Sequence, residues 1–172
     1  LTWANIVRVR TADGRPYIDV LQILCYDGNG RITGGDTVAN VFDYLSWRGD
    51  LRFEKDGFNE VDNLIFACLS YINYESVVPA APSSGVTLAR AAALLKSDNR
   101  LEQGGVLMPP YPELLIKAAE TDRFRDVLLS CYVSRMDETI PNQFAAVIFS
   151  LSTREHYVAF RGTDDNLAGW KE

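Results

Sequence analysis

With 172 residues, 47% hydrophobic and 23% charged, the chain has an ordinary globular composition and enough length for one substantial core. Its net charge of −6 speaks against nucleic acid as a partner, because phosphate binding calls for a basic surface. No apolar run approaches the roughly 20 residues that cross a bilayer. The start, Leu1-Thr2-Trp3-Ala4-Asn5, lacks the pattern of an export signal, so the expected location is the cytoplasm.

The first 36 residues differ in character from the rest. Ile6 to Arg10 alternates apolar and basic residues, a turn falls at Ala12-Asp13-Gly14-Arg15, and a strand-like run covers Tyr17 to Tyr26. A second turn at Asp27-Gly28-Asn29-Gly30 precedes Arg31-Ile32-Thr33. The pattern predicts a small β-meander over 1–36, separate from a domain over 37–172, with Gly34-Gly35-Asp36 as the hinge. The meander carries four arginines and four aspartates, so the whole net charge comes from residues 37–172.

Beyond Asn40 the period becomes helical. Val41, Tyr44, Leu45 and Trp47 form a short apolar face that Asn40 caps and Gly49 ends. Residues 58–73 are the clearest helix, with Val61, Leu64, Ile65, Cys68, Leu69 and Ile72 recurring at helical spacing. Glu60 and Asp62 suit its N-terminal dipole better than they suit a metal shared with Asp56. Residues 77–85 are rich in Pro, Ala, Ser and Gly and read as a loop, and Thr87 caps a helix over 88–96. Met108-Pro109-Pro110-Tyr111-Pro112 punctuates the chain before a helix striped by Leu114, Leu115, Ala118 and Ala119. The region around 77–105 reads as a helical layer on the sheet rather than a mobile lid.

The last third supplies strands. Val127, Leu129, Cys131 and Val133 alternate against Ser130 and Ser134, and the apolar run over 144–151 reads as a deeply buried second strand. Ser152-Thr153-Arg154-Glu155 then turns directly into a third strand, His156 to Arg161. Connections this short demand antiparallel neighbours, since a parallel crossover needs a dozen or more residues. In the third strand Tyr157, Ala159 and Arg161 share one face and His156, Val158 and Phe160 the other. Both faces being largely apolar predicts a strand covered on both sides, the habit of a mainly parallel sheet. The strand stops at Gly162, and Thr163, Asp164, Asp165 and Asn166 are turn and cap residues. Cys25, Cys68 and Cys131 are widely spaced in apolar surroundings and read as reduced thiols.

Phe160-Arg161-Gly162-Thr163, followed by Trp170, resembles the oxyanion-strand motif of class 3 (fungal-type) lipases. Together with Phe42-Asp43-Tyr44-Leu45-Ser46-Trp47-Arg48-Gly49-Asp50 and Phe58-Asn59-Glu60-Val61-Asp62-Asn63-Leu64, it resembles more closely a family of uncharacterised bacterial proteins with the α/β-hydrolase fold. The likeness runs from about Ala39 to Glu172. It implies an α/β class: an incomplete hydrolase-like sheet in which an antiparallel hairpin leads into a buried strand, flanked by helices. It also implies site residues, with Thr163 holding the oxyanion, Gly162 allowing close approach and Asp164 beside them.

Acyl transfer of the Ser-His-Asp kind needs a nucleophile, a base, an orienting acid and oxyanion donors, and only the last is visible. His156, the single histidine, lies about six residues or ~20 Å before the turn if extended. No serine stands in a Gly-x-Ser-x-Gly frame, and Cys131 is mid-strand. Arg161 reads as a partner for Asp164 or Asp165. The expectation is the N-terminal portion of a serine hydrolase whose triad comes from beyond Glu172, with an acyl or ester substrate, no cofactor and no metal. Missing strands would come from the rest of the protein or from another subunit. The rival reading is an interaction module that keeps the fold without catalysis.

Overall fold

A computed structural model describes residues 5–12, 15–22, 40–82, 84–101, 110–135 and 144–161. The described strands and helices, in chain order, are β1 (Asn5–Ala12), β2 (Arg15–Gln22), α1 (Val41–Arg48), α2 (Glu60–Leu69), β3 (Val86–Thr87), α3 (Leu88–Ser97), α4 (Pro110–Glu120), β4 (Leu128–Arg135), β5 (Phe144–Ser150) and β6 (Glu155–Phe160). The strands form one open sheet in the order β2-β1-β6-β5-β4-β3.

Every pairing among the described strands is antiparallel. The run β4-β5-β6 follows from short connections, as expected. The mainly parallel sheet inferred from the two apolar faces of β6 is not what these strands form. The described helices cover one face: Tyr157 and Ala159 are fully buried, whereas the alternate residues His156, Val158 and Phe160 stay partly exposed. Apolar residues on both faces therefore marked a strand in mid-sheet, not two helical layers. β6 is central because β1 pairs along its other edge, setting Val7 opposite Val158 and Ile6 opposite Ala159. The sheet thus runs on across the division expected at residue 36. The expected third strand of the meander, Arg31 to Thr33, lies outside the described residues.

The helices begin where the chain offers caps. Asn40 and Asn59 each accept from two backbone N–H groups, and Asp43 and Asp62 reach back to the cap N–H, giving two capping boxes. Thr87 caps α3 through Arg90 N–H. Pro110, expected as punctuation, is the first residue of α4, where the missing N–H costs nothing. Gly49 ends α1, but with φ −65° rather than in the left-handed conformation. Its requirement is space, because a Cβ there would sit 2.2 Å from Leu45 O and 2.6 Å from Thr121 Cγ2. An Asn59→Ala variant is expected to lose about 1 kcal/mol, lowering the melting temperature by about 2–4 °C in a chain of this size. Thermal unfolding followed by circular dichroism measures it.

The core lies between the helices and the covered face of the sheet. Phe66 of α2 stacks on Phe149 of β5 with centroids 4.3 Å apart and meets Tyr157 of β6 edge-on at 5.7 Å. α3 buries Leu88, Ala91, Ala92 and Leu95, so this helix is a packed layer. In β4 the expected alternation fails. The ladder shifts between Ser130 and Val133, and Cys131 there takes a left-handed φ of 53°. This β-bulge turns Tyr132 inward and leaves Cys131 only half-buried.

Candidate functional site

Gly162, Thr163 and Asp164, the residues expected to hold an oxyanion, lie outside the described residues, as do Asp165 and Trp170. What is described is the strand end that delivers them. β6 reaches Phe160, and Arg161 N–H still donates to Ala145 O at 2.9 Å, so the pairing with β5 carries to the last described residue. The Arg161 guanidinium lies over the Tyr71 ring, 5.6 Å from its centroid, within cation–π range. Tyr71 in turn packs on Tyr111 with centroids 5.5 Å apart. The expected partners of Arg161, Asp164 and Asp165, lie outside the described residues, and its contact with Tyr71 was not revealed by the residue order.

Beside this strand end is a cleft of about 500 Å³. One wall is the chain after α2, from Glu75 to Ala80; the other is Tyr132 and Ser134 on the bulged part of β4. Tyr132 N–H donates to Pro79 O at 3.3 Å, joining the walls, and its hydroxyl donates to Asn73 Oδ1 at 3.4 Å. Burial raises the Tyr132 pKa; a Ser134 hydrogen bond and the positive charge of Arg161 pull it down, and Glu75 pushes it up. Tyr132 thus lies between the strand end and the cleft. Behind it Tyr74 is fully buried, edge-on to Tyr132 at 5.7 Å, and its phenol is pushed well above its ordinary value by burial. The Tyr74 hydroxyl has no hydrogen-bond partner among the described residues. The strict alternation Leu129, Cys131, Val133 hid this cleft from the sequence, because it gave no sign of the bulge that presents Tyr132.

His156 sits at the other end of β6, where its Nδ1 lies 2.8 Å from Ser150 Oγ across the β5–β6 pair. Five residue steps of ~3.3 Å separate it from Arg161, about 16 Å, which keeps it at the far end of the strand from the expected site residues. Cys68 is buried and its thiol is pushed up to about 12, chiefly by desolvation, which leaves no thiolate near neutral pH. Cys68 and Cys131 are free thiols.

The segments Phe42 to Asp50 and Phe58 to Leu64, which carry much of the likeness, meet around a side chain that the sequence reading passed over, Arg123. It is fully buried in its side chain, as is Asp62. Arg123 Nε donates to Asp62 Oδ1 at 2.8 Å and Nη2 to Asp62 Oδ2 at 2.5 Å. Nη1 donates to the carbonyls of Leu51 and Asp56 and Nη2 to that of Gly57, at 2.7, 2.8 and 3.1 Å. All five guanidinium N–H groups are therefore used. Burial works against the charge, but the hydrogen bond and charge of Asp62 outweigh it and the Arg123 pKa is raised. Its guanidinium also lies 4.2 Å from the Phe53 centroid, and Asp56 pairs with it at 3.5 Å. Tyr44 completes the cluster, donating to Asp62 Oδ1 at 2.9 Å and accepting from Asn59 Nδ2 at 2.7 Å; burial above all pushes its phenol up to about 12. Asp62 and Asp56 are thus partners of a guanidinium. Among the described residues no group of acidic, His and Cys side chains is arranged to hold a metal.

The chain is similar over residues 118–172 to a family model described as Mbeg1-like. That span takes in Arg123, strands β4 to β6 and the residues after Arg161. Neither a curated protein nor a solved structure matches the chain. Among the described residues no helix is long and apolar enough to cross a membrane.

Proposed function

We propose that this chain supplies the oxyanion-hole strand and turn of a serine hydrolase acting on esters or other acyl compounds. Its sheet is read as the leading part of an α/β-hydrolase sheet, with serine, acid and base contributed from outside residues 1–172, by the rest of the protein or another subunit. No cofactor enters this chemistry, and the reading places the protein in the cytoplasm. One observation carries it. The strand bearing Phe160 and Arg161 is held in mid-sheet between β1 and β5, and Gly162 and Thr163 follow it directly in the chain. A backbone N–H and a hydroxyl at such a point stabilise a developing oxyanion because they need no reorganisation when charge appears. Gly162 allows the acyl group close approach, and Asp164 extends the turn.

A fluorophosphonate probe tests this. In the protein expressed from its complete reading frame, one serine outside residues 1–172 is expected to take the label. The 172-residue chain alone is expected to take none and to leave short acyl esters unhydrolysed, because oxyanion donors without a nucleophile have nothing to stabilise. Stoichiometric labelling of a serine within 1–172, Ser150 beside His156 included, overturns the reading. A complete protein that takes no label is the non-catalytic interaction module instead.

A further inference from the structure

The cleft between the chain after α2 and the bulge of β4 is built at a cost in backbone strain. Among the described residues three non-glycine positions have positive φ, and two of them shape this cleft: Ser76 at 64° and Cys131 at 53°. A non-glycine residue in the left-handed region is strained and persists where surrounding structure holds it. Here both sides hold it. After Ser76 the chain folds back so that Val77 and Val78 N–H both donate to Tyr74 O at 3.0 Å, and their buried side chains line the cleft. At Cys131 the ladder to β5 breaks, and the Tyr132 N–H bonds the facing wall through Pro79 O.

The lining chemistry is one-sided. Among the described residues lining the cleft, Glu75 is the charged one, and it is exposed at the rim. Ser76, Tyr132 and Ser134 add hydroxyl-bearing side chains to the lining, and Val77, Val78 and Pro79 add apolar ones. An ammonium group offers three donors and a positive charge to such a set; a carboxylate or phosphate would face Glu75, and the described lining residues include no cation, Arg161 near Tyr132 being placed over the Tyr71 ring instead. A volume of about 500 Å³ is within the range of small-molecule sites and exceeds what an ammonium alone would fill. We infer that this cleft binds a protonated primary amine carried on a short apolar body, the ammonium at Glu75 and the hydroxyls and the body over Val77, Val78 and Pro79. This site stands apart from acyl transfer and does not require it.

The test is an NMR titration of the 172-residue chain at neutral pH and low salt with n-butylammonium, n-butanol and n-butyrate. Saturable amide shifts confined to residues 75–80 and 131–134 are expected with n-butylammonium. Weaker binding is expected with n-butanol and none with n-butyrate. Glu75→Gln, at an exposed position, is expected to keep the melting temperature and weaken n-butylammonium about fivefold, in line with an exposed ion pair. Ser134→Arg, which sets a cation in the lining, is expected to abolish binding. Shifts that fail to saturate, n-butanol binding as tightly as n-butylammonium, or an unchanged Kd in Glu75→Gln each overturn the inference.

Discussion

An Arg123→Ala chain is expected to lose about 3–5 kcal/mol of stability, because it leaves Asp62 as a buried charge without its partner. In a protein of this size that lowers the melting temperature by roughly 10 °C or more. The magnitude follows from the geometry. Asp62 loses two charge-assisted bonds, and the carbonyls of Leu51, Asp56 and Gly57 lose their described side-chain donor. Arg123→Lys is expected to recover only part, since an ammonium has three donors and no planar fork for Asp62. An Arg123→Met, Asp62→Leu pair removes both charges and is expected to be less damaging than either charge left alone. It does not restore the parent, because the carbonyls still lack a donor. Denaturant unfolding of these variants beside the parent separates the outcomes. If Arg123→Ala melts within about 2 °C of the parent, the cluster is not what joins α1, the following loop and α2.

The second large effect concerns Thr163 in the protein that carries the nucleophile. Thr163→Val keeps the β-branched shape and the backbone N–H and removes the hydroxyl donor. Loss of one oxyanion donor lowers kcat by roughly 100- to 1,000-fold, about 3–4 kcal/mol, with KM little changed, because the interaction forms in the transition state. A helix cap at Thr163 would instead cost about 1 kcal/mol of stability and leave turnover near normal. Steady-state kinetics and a melting curve on the same variant distinguish them. Lowered stability with unchanged kcat would reduce the Phe160-Arg161-Gly162-Thr163 motif to a structural turn.

Local chemistry made several elements legible before any coordinates. Asn40, Asn59 and Thr87 stand before apolar helical stripes, so their side chains announce the starts of α1, α2 and α3. The brief connection Ser152 to Arg154 forces β5 and β6 antiparallel by the reach of the chain alone. The strand leading up to Arg161 was equally plain.

What the residue order withheld depends on contacts between distant segments. Arg123 looked like one charge in a polar turn, yet Asp62 is 61 residues away in the chain, and only their burial together makes the ion pair. The apolar faces of β6 did not reveal that β1 would pair along its edge, nor that the described helices would cover one side. The bulge at Cys131 is invisible to an alternating pattern, because it shows only in pairing between distant segments, where the ladder shifts and Tyr132 N–H bonds Pro79 O. Sequence by itself determined where helices start and which strands neighbour one another through short turns, because capping and chain reach are local. Tertiary structure decided which charges are buried, which sheet face is covered and where a cleft opens, because desolvation and packing are set by residues far apart in the chain.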